Sequence, residues 1–333
     1  MLAVVLVGGF GTRLRPLTND VPKPMLPVVN RPMISHLVER LAAGGVTQVV
    51  LALGFKPEPF AEAFPGGTVP GLPDVRVDYA VEPEPLDTGG AIAFAARHVG
   101  VEGTFVVANG DVICDLDLAW LVGEHRRVGR DATIHLTPVE DPSAFGVVET
   151  DGPIVRRFVE KPGPGETDSD LINAGTYVFE PAVLDLIDPG RPVSIERTIF
   201  PALVAEGRLT AVASDDYWLD AGRPETYLQA NLDLLSGVRG SAADGIAAGA
   251  SVGTDAVVEL SVVGAGAEIG PGSRVVRSVL LPGAVVGGGA TVVDSVVAGS
   301  VGSGATVEHS VIGSHHTVLD GSTVRYERLP APA

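Results

Sequence analysis

Apolar positions along this 333-residue chain follow two regimes, which change over near residue 240. In the first, short unbroken apolar runs alternate with stretches of helical period. Leu2–Val7, Val49–Leu53 and Phe105–Ala108 are continuous, not alternating, as strands read when both faces are covered. Met33–Ala43 has helical spacing and stops at Gly44-Gly45, while Ala91–His98 and Arg223–Leu235 predict further helices. This βαβ alternation predicts an α/β fold with a mostly parallel sheet, with ligands at the carboxyl ends of strands. Gly8, Asn109 and Asp111 occupy such ends.

The second regime has no helical period. Ser261-Val262, Ser278-Val279, Ser295-Val296 and Ser310-Val311 recur at spacings of 17, 17 and 15 residues. Val252-Gly253, Ile269-Gly270, Val286-Gly287 and Val301-Gly302 repeat the same spacings. Small and β-branched residues return about every six positions, the hexapeptide pattern of a parallel β-helix, here of about four to five coils. Glycines are expected at the corners, where positive φ is needed. The expected organisation is an α/β domain over 1–236, a small polar linker over 237–245 and a β-helix over 246–328.

Composition narrows the function classes. Apolar residues make up 45% of the chain, enough for a sizeable core, and 42 Gly and 26 Pro call for many tight turns. A net charge of −18 disfavours nucleic-acid binding, which depends on Lys and Arg neutralising phosphates. The lone Cys114 excludes an intrachain disulfide and a cysteine-based zinc site. No apolar run approaches membrane-spanning length, and the N-terminal run meets glycines and reads as a strand, not a signal peptide. The cytoplasm is the expected location.

Candidate chemistry begins where the first strand ends. Gly8-Gly9-Phe10-Gly11-Thr12-Arg13-Leu14 is followed by Pro22-Lys23-Pro24-Met25-Leu26-Pro27. Glycines let backbone N–H groups approach phosphate oxygens; Arg13 offers a bidentate fork and Lys23 a point charge. The flanking prolines favour an extended segment that aims the lysine. A P-loop is excluded because no Lys-Ser or Lys-Thr follows, and a dinucleotide fingerprint because Leu14 stands where its third glycine belongs. A nucleoside triphosphate fits these groups.

The combined pattern G-G-x-G-T-R-L with P-K-P-M-L-P-V closely resembles the sugar-1-phosphate nucleotidyltransferases. Asn109-Gly110-Asp111, Phe145-Gly146-Val147, Glu160-Lys161-Pro162, Asn173-Ala174-Gly175 and Trp218-Leu219-Asp220 continue the resemblance in order. Ser194-Ile195-Glu196-Arg197-Thr198-Ile199-Phe200-Pro201 is similar to a segment of the mannose-1-phosphate guanylyltransferase branch. Its plain reading is a helix capped by Ser194, and both readings can hold together.

The resemblance implies a Rossmann-like catalytic domain followed by a left-handed β-helix. It further implies transfer of a nucleotidyl group from an NTP to a sugar 1-phosphate, with GTP and mannose 1-phosphate favoured. Arg13, Lys23, Asp111 and Lys161 are then the catalytic residues. Leu6, Gly8, Gly9, Gly11, Thr12, Arg13, Glu82, Asp87, Thr88 and Asn109 would bind the nucleotide. Gly146, Glu160, Lys161 and Asn173 would bind the sugar phosphate, and Asp111 and Asp220 would hold Mg2+. These aspartates are 109 residues apart, so only the resemblance joins them. Partners would be the two substrates and further copies of the chain, with no nucleic acid or membrane.

Base choice rests on Glu82, an acceptor that suits the N1–H and N2–H₂ donors of guanine. Asp87 stands where the family commonly has glycine and reads plainly as the N-cap of the helix beginning near Gly90. With Thr198, which replaces an acidic residue, Asp87 keeps glucose, heptose or cyclitol phosphates open as acceptors. A regulatory subunit without chemistry is the remaining alternative, although such relatives usually lose the arginine, lysine or carboxylates present here. His309, His315 and His316 read as surface or corner residues of the β-helix, not as acyl-transfer bases.

Overall fold

A computed structural model describes residues 1–9, 11–54, 57–240 and 242–331. Phe10 of the glycine loop and Ser241 of the expected linker lie outside the described residues. The chain divides into two compact units. One combines Met1–Gly9 with His36–Trp218, and the other combines Phe10–Ser35 with Leu219–Ala333.

The first unit is built on a ten-stranded sheet. In chain order its strands are β1 (Leu2–Leu6), β2 (Gln48–Leu53), β3 (Thr68–Val69), β4 (Leu72–Val81), β5 (Phe105–Asn109), β6 (Ala132–Pro138), β7 (Gly146–Asp151), β8 (Ile154–Glu160), β9 (Leu171–Phe179) and β10 (Leu209–Ala213). Their spatial order is β7-β8-β10-β6-β9-β5-β1-β2-β4-β3. The three strands read from unbroken apolar runs form the expected parallel core, with β1 between β2 and β5 and Leu6 level with Ala52 and Asn109. β9 joins this core to the later strands by running antiparallel to both β5 and β6. Val4, Val50, Phe105, Val107, Ile134, Tyr177, Phe179 and Phe200 fill the core.

The helix Met33–Ala43 appears as predicted and ends at Gly45, whose φ is +88°. The helix predicted from Ala91 instead spans Asp87–His98, because its glycines serve packing and not the start of a turn. The N–H groups of Gly89 and Gly90 both donate to Val193 O, at 2.7 and 3.1 Å. A Cβ on either residue would come within 2.9 Å of the backbone of residues 191–193.

In the second unit, three five-stranded parallel sheets stack as the expected β-helix. Paired residues step along the chain by 17, 17, 15 and 17, as in Ser251, Glu268, Val285, Ser300 and Thr317. Val275, Val292 and Val307 stack inside; full burial of one such side chain stabilises the fold by about 1.5–3 kcal/mol. The repeated serines form a buried ladder. Each Oγ donates to the carbonyl two residues back at 2.7–2.8 Å and accepts the N–H of the next coil at 3.0–3.2 Å.

The corners differ in part from the glycine expectation. The residue before each serine is left-handed yet never glycine: Leu260, Arg277, Asp294 and His309, continued by Tyr326. These side chains stack outside, where Arg277 Nε donates to Asp294 at 2.8 Å and His309 lies flat on Tyr326 at 4.9 Å. His309 is thus a corner residue, as its sequence context suggested.

The repeated Gly253, Gly270, Gly287 and Gly302 are needed for close approach between coils. A Cβ on Gly270 would lie 2.5 Å from Gly288 N and 2.8 Å from the Gly287 carbonyl carbon. Gly270→Ala is therefore expected to destabilise the β-helix by about 1–3 kcal/mol, the usual cost of overpacking. Chemical denaturation would read this, and an unchanged midpoint would show that the coils can part freely.

The helix Pro224–Ser236 ties the early segment into this unit. Buried Asn231 accepts from Val29 N at 2.9 Å, and Tyr227 donates its hydroxyl to Pro27 O. Asn30 Nδ2 reaches Gly245 O at 3.1 Å.

Candidate functional site

The second unit carries two of the cationic candidates, Arg13 and Lys23. Gly11 takes φ +60°, which opens the short turn Thr12–Leu14, and Thr18 Oγ1 donates to its carbonyl at 2.7 Å. A Cβ on Gly11 would sit 3.2 Å from the Cβ of Lys23, so the loop glycine abuts the lysine stem. Pro22 is extended as expected, but Lys23–Met25 form a tight 3-10 turn in place of an extended segment. The closure Met25 N to Pro22 O, at 2.9 Å, outweighs the preference of a residue preceding proline for extended geometry.

The Lys23 side chain is only 7% exposed, and its Nζ lies 3.3 Å from Asp220 Oδ1. Arg13 Nη2 approaches Asp220 Oδ2 at 3.7 Å from a side chain that is 58% exposed. Gly222 leaves the space between them open. A Cβ there would meet Asp220 Oδ1 at 2.7 Å and both Arg13 Nη2 and Lys23 Nζ at 2.9 Å. Two cations thus share one carboxylate around a cradle that only glycine keeps clear, an arrangement suited to an anionic ligand.

The first unit carries the remaining candidates. Gly8 packs against Gly54, and a Cβ on it would lie 3.7 Å from Glu82 Oε1, whereas Gly9 is exposed and open. Buried Glu82 accepts from Leu86 N through Oε2 at 2.9 Å. Desolvation raises its pKa above the usual carboxylate value, with the Leu86 N–H opposing. Leu6 O accepts from Gly110 N at 2.9 Å, which carries the β1–β5 pairing up to half-buried Asp111. Thr12 is exposed on its own turn in the other unit.

Asp87 is not the N-cap; Leu86 holds that position. Asp87 adopts φ +57°, a left-handed conformation natural to glycine or Asp/Asn, and its Oδ1 accepts from Thr88 N at 2.8 Å. Its Oδ2 accepts from Arg197 Nη2 at 2.8 Å, so the carboxylate serves an ion pair and not the helix start. Thr88 Oγ1 donates to Glu196 Oε2 at 2.7 Å. Ser194 caps its turn as predicted, accepting from Arg197 N at 3.2 Å, although the turn Ile195–Ile199 is π-helical.

A polar cluster gathers the sugar-phosphate candidates of this unit. Asn173 lies in a bulge of β9, where Gly175 takes φ +77°; its Oδ1 accepts from Gly175 N at 3.0 Å and its Nδ2 donates to Tyr177 OH at 2.9 Å. A Cβ on Gly175 would lie 2.6 Å from Asn109 Nδ2, which places Asn109 beside the bulge. Gly146 leaves room next to Glu160, since a Cβ would approach its Oε2 to 3.0 Å. Lys161 has φ +53° and an exposed side chain, with Nζ 3.7 Å from Glu160 Oε1.

Burial, and then the Glu196 charge, raise the Glu160 pKa, partly offset by Lys161 and Arg197. The Tyr177 hydroxyl is pushed above its ordinary value by burial first and then by Glu196, with Glu160 and Asp111 adding to the rise. Glu196 and Tyr177 join this candidate cluster, although the sequence pattern did not single them out. Glu196 lies within Ser194–Pro201, a segment whose local pattern reads equally as a capped helix. Tyr177 looked like a buried strand residue, and only the bulge brings its hydroxyl to Asn173. Trp218, two residues before Asp220, packs edge-on against Phe145 at 5.7 Å and donates to Ala174 O at 2.9 Å.

Comparisons with known proteins bear on the family of the chain. The profile of the family described as Nucleotidyl transferase matches residues 2–237. A mannose-1-phosphate guanylyltransferase of Mycobacterium tuberculosis is 46% identical over 244 residues, covering 72% of this chain and 66% of the relative. A mannose-1-phosphate guanyltransferase of Schizosaccharomyces pombe is 44% identical over 243 residues, with the same coverage of 72% and 66%. The match thus spans just under two thirds of these relatives' length. The crystal structure of HddC from Yersinia pseudotuberculosis superposes with a TM-score of 0.59 at 30% identity, covering 69% of this chain and 97% of that one. With the profile spanning its glycine loop, both aspartates and the Glu160-Lys161 pair, the chain belongs to the nucleotidyl transferase family.

Proposed function

We propose that this protein is a sugar-1-phosphate nucleotidyltransferase that joins GTP to mannose 1-phosphate, yielding GDP-mannose and pyrophosphate. The observation that carries this reading is the convergence of Arg13 and Lys23 on Asp220 around the opening at Gly222. The names of the M. tuberculosis and S. pombe relatives support the choice of substrates.

The sugar phosphate oxygen attacks the α-phosphorus of the triphosphate, and pyrophosphate leaves. The nucleophile is already ionised near neutral pH, so no general base is required. Catalysis then consists of positioning and charge stabilisation. Arg13 and the loop amides hold the β- and γ-phosphates, Lys23 meets charge developing at the α-phosphate, and Lys161 holds the incoming phosphate. Glu160 and Asn173 accept and donate hydrogen bonds to sugar hydroxyls, and Glu196 adds negative charge to that pocket.

Mg2+ fits the donor chemistry, because Asp111 and Asp220 supply hard oxygens and the Gly222 cradle leaves one of them accessible. Among the described residues no group of three or more His, Cys, Asp or Glu could hold a metal ion. When bound, the ion would neutralise phosphate charge. No described helix is long and apolar enough to cross a membrane. We place the protein in the cytoplasm as a homo-oligomer; exposed Val252, Val257 and Leu260 on the first β-helix coil support self-association.

The test is pyrophosphate release across a panel of NTPs and sugar 1-phosphates. GTP with mannose 1-phosphate should react fastest; a different best pair would redirect the specificity, and no release with any pair would favour a binding subunit. Asp87, held by Arg197, makes a glucose, heptose or cyclitol phosphate the second reading. Glu82→Gln should lower the GTP-to-UTP ratio of kcat/KM by about tenfold, because an amide no longer presents a charged acceptor to two donors. An unchanged ratio would remove Glu82 from base recognition.

A further inference from the structure

We propose that Arg328, on the last β-helix coil, is a positioning residue for the triphosphate loop, acting through the backbone of Arg13. The proposal rests on the reading of Arg13 as a phosphate ligand. The Arg328 guanidinium donates from Nη1 to Arg13 O at 2.9 Å and from Nη2 to Glu225 Oε1 at 3.1 Å. Glu225 is 71% exposed, so its ion pair contributes little by itself. It does fix the direction of the guanidinium fork, whose other arm holds the loop.

The same coils grip this segment at further points. Ser314 Oγ donates to Asp20 Oδ2 at 2.6 Å, and His315 Nε2 lies 3.1 Å from the same oxygen. Gly313 lies against Pro16, so closely that a Cβ would come within 2.9 Å of the proline ring. Arg13, Pro16 and Asp20 are thus held from one side by the β-helix. The ion pair of the Arg13 side chain with Asp220 is long, at 3.7 Å, and that side chain is 58% exposed. Its aim is therefore set by where its backbone is fixed. Fixing the backbone beforehand removes an ordering cost that triphosphate binding would otherwise carry. The repeat domain thereby takes part in nucleotide binding without touching the nucleotide.

The test compares wild type, Arg328→Ala, Arg328→Lys and Arg325→Ala in the full chain. Arg325 sits on the same coil but pairs with Glu308 at 2.8 Å, which makes it the control. Calorimetry would measure affinity for GTP with Mg2+ and for pyrophosphate with Mg2+, and steady-state kinetics would measure KM for each substrate. Arg328→Ala should weaken both GTP and pyrophosphate by roughly tenfold, the scale of one lost hydrogen bond from a charged donor. KM for mannose 1-phosphate should stay within about twofold, since a local effect leaves other contacts intact. Arg328→Lys should recover part of the loss, because an ammonium can still reach one acceptor, and Arg325→Ala should match wild type.

Wild-type GTP affinity in Arg328→Ala, or an equal rise in both KM values with a lowered melting temperature, would overturn the proposal. Should Arg328→Ala fail to fold, Asp20→Ala carries the same comparison, and unchanged GTP affinity there would overturn it. Turnover by wild type with normal binding in the variants sinks this inference alone. Absence of any NTP binding by wild type sinks the functional reading as well.

Discussion

Lys23→Ala should lower kcat by roughly 10²–10³, equivalent to about 2.7–4 kcal/mol of lost transition-state stabilisation, as for other groups that meet developing anionic charge. Lys23 is suited to this role because its ammonium is nearly enclosed and sits 3.3 Å from Asp220. A charge held away from water acts more strongly on a phosphate oxygen than an exposed one. Asp220 keeps Arg13 as a second partner in the variant, so the carboxylate is not left unpaired. The effect should therefore appear in the chemical step and less in the melting temperature. Single-turnover measurement at saturating substrates separates the two. Lys23→Arg should retain the charge but not the fit, because a planar fork is wider than an ammonium. Near wild-type turnover in Lys23→Ala would refute the assignment.

Gly222→Ala should lower kcat/KM by about 10²-fold, the scale on which misplacing catalytic groups by an ångström acts. The added methyl would meet Asp220, Arg13 and Lys23, each within 2.9 Å. All three contacts are with the polar ends of side chains, which can splay apart without moving the backbone. The substitution thus disperses the charge array while leaving the fold largely intact. Circular dichroism and thermal melting should stay close to wild type while kinetics collapse. Retained activity would mean that the ligand's charge lies elsewhere than in this cradle.

The Asp87 region shows where local reading reached its limit. An aspartate before Thr-Gly-Gly fits an N-cap on local rules, and those rules are sound. Val193 O overrode them by accepting from Gly89 and Gly90, which extended the helix toward its N-terminus. Asp87 was thereby placed in a left-handed conformation and its carboxylate turned to Arg197, 110 residues away. The β-helix corners make a related point. Glycine spacing located the coils, but the left-handed corner before each ladder serine holds Leu, Arg, Asp or His, and Tyr326 continues that column before Glu327. Those residues are tolerated because the serine ladder ties the following backbone on both sides.

What the chain alone determined is whatever depends on neighbours in sequence. Unbroken apolar runs marked the core strands, the 17-residue period marked the stacked coils, and the glycine loop with Arg13 and Lys23 marked a candidate phosphate site. Hydrophobic period and turn chemistry act over a few residues, so they can be read directly. Tertiary structure alone decided which distant groups meet. Lys23 and Asp220 are 197 residues apart, and Arg328 reaches Arg13 across 315. It also joined the segment Phe10–Ser35 to the same compact unit as the β-helix. Such contacts form when separate elements bury their apolar faces together, and no local pattern encodes which faces those will be.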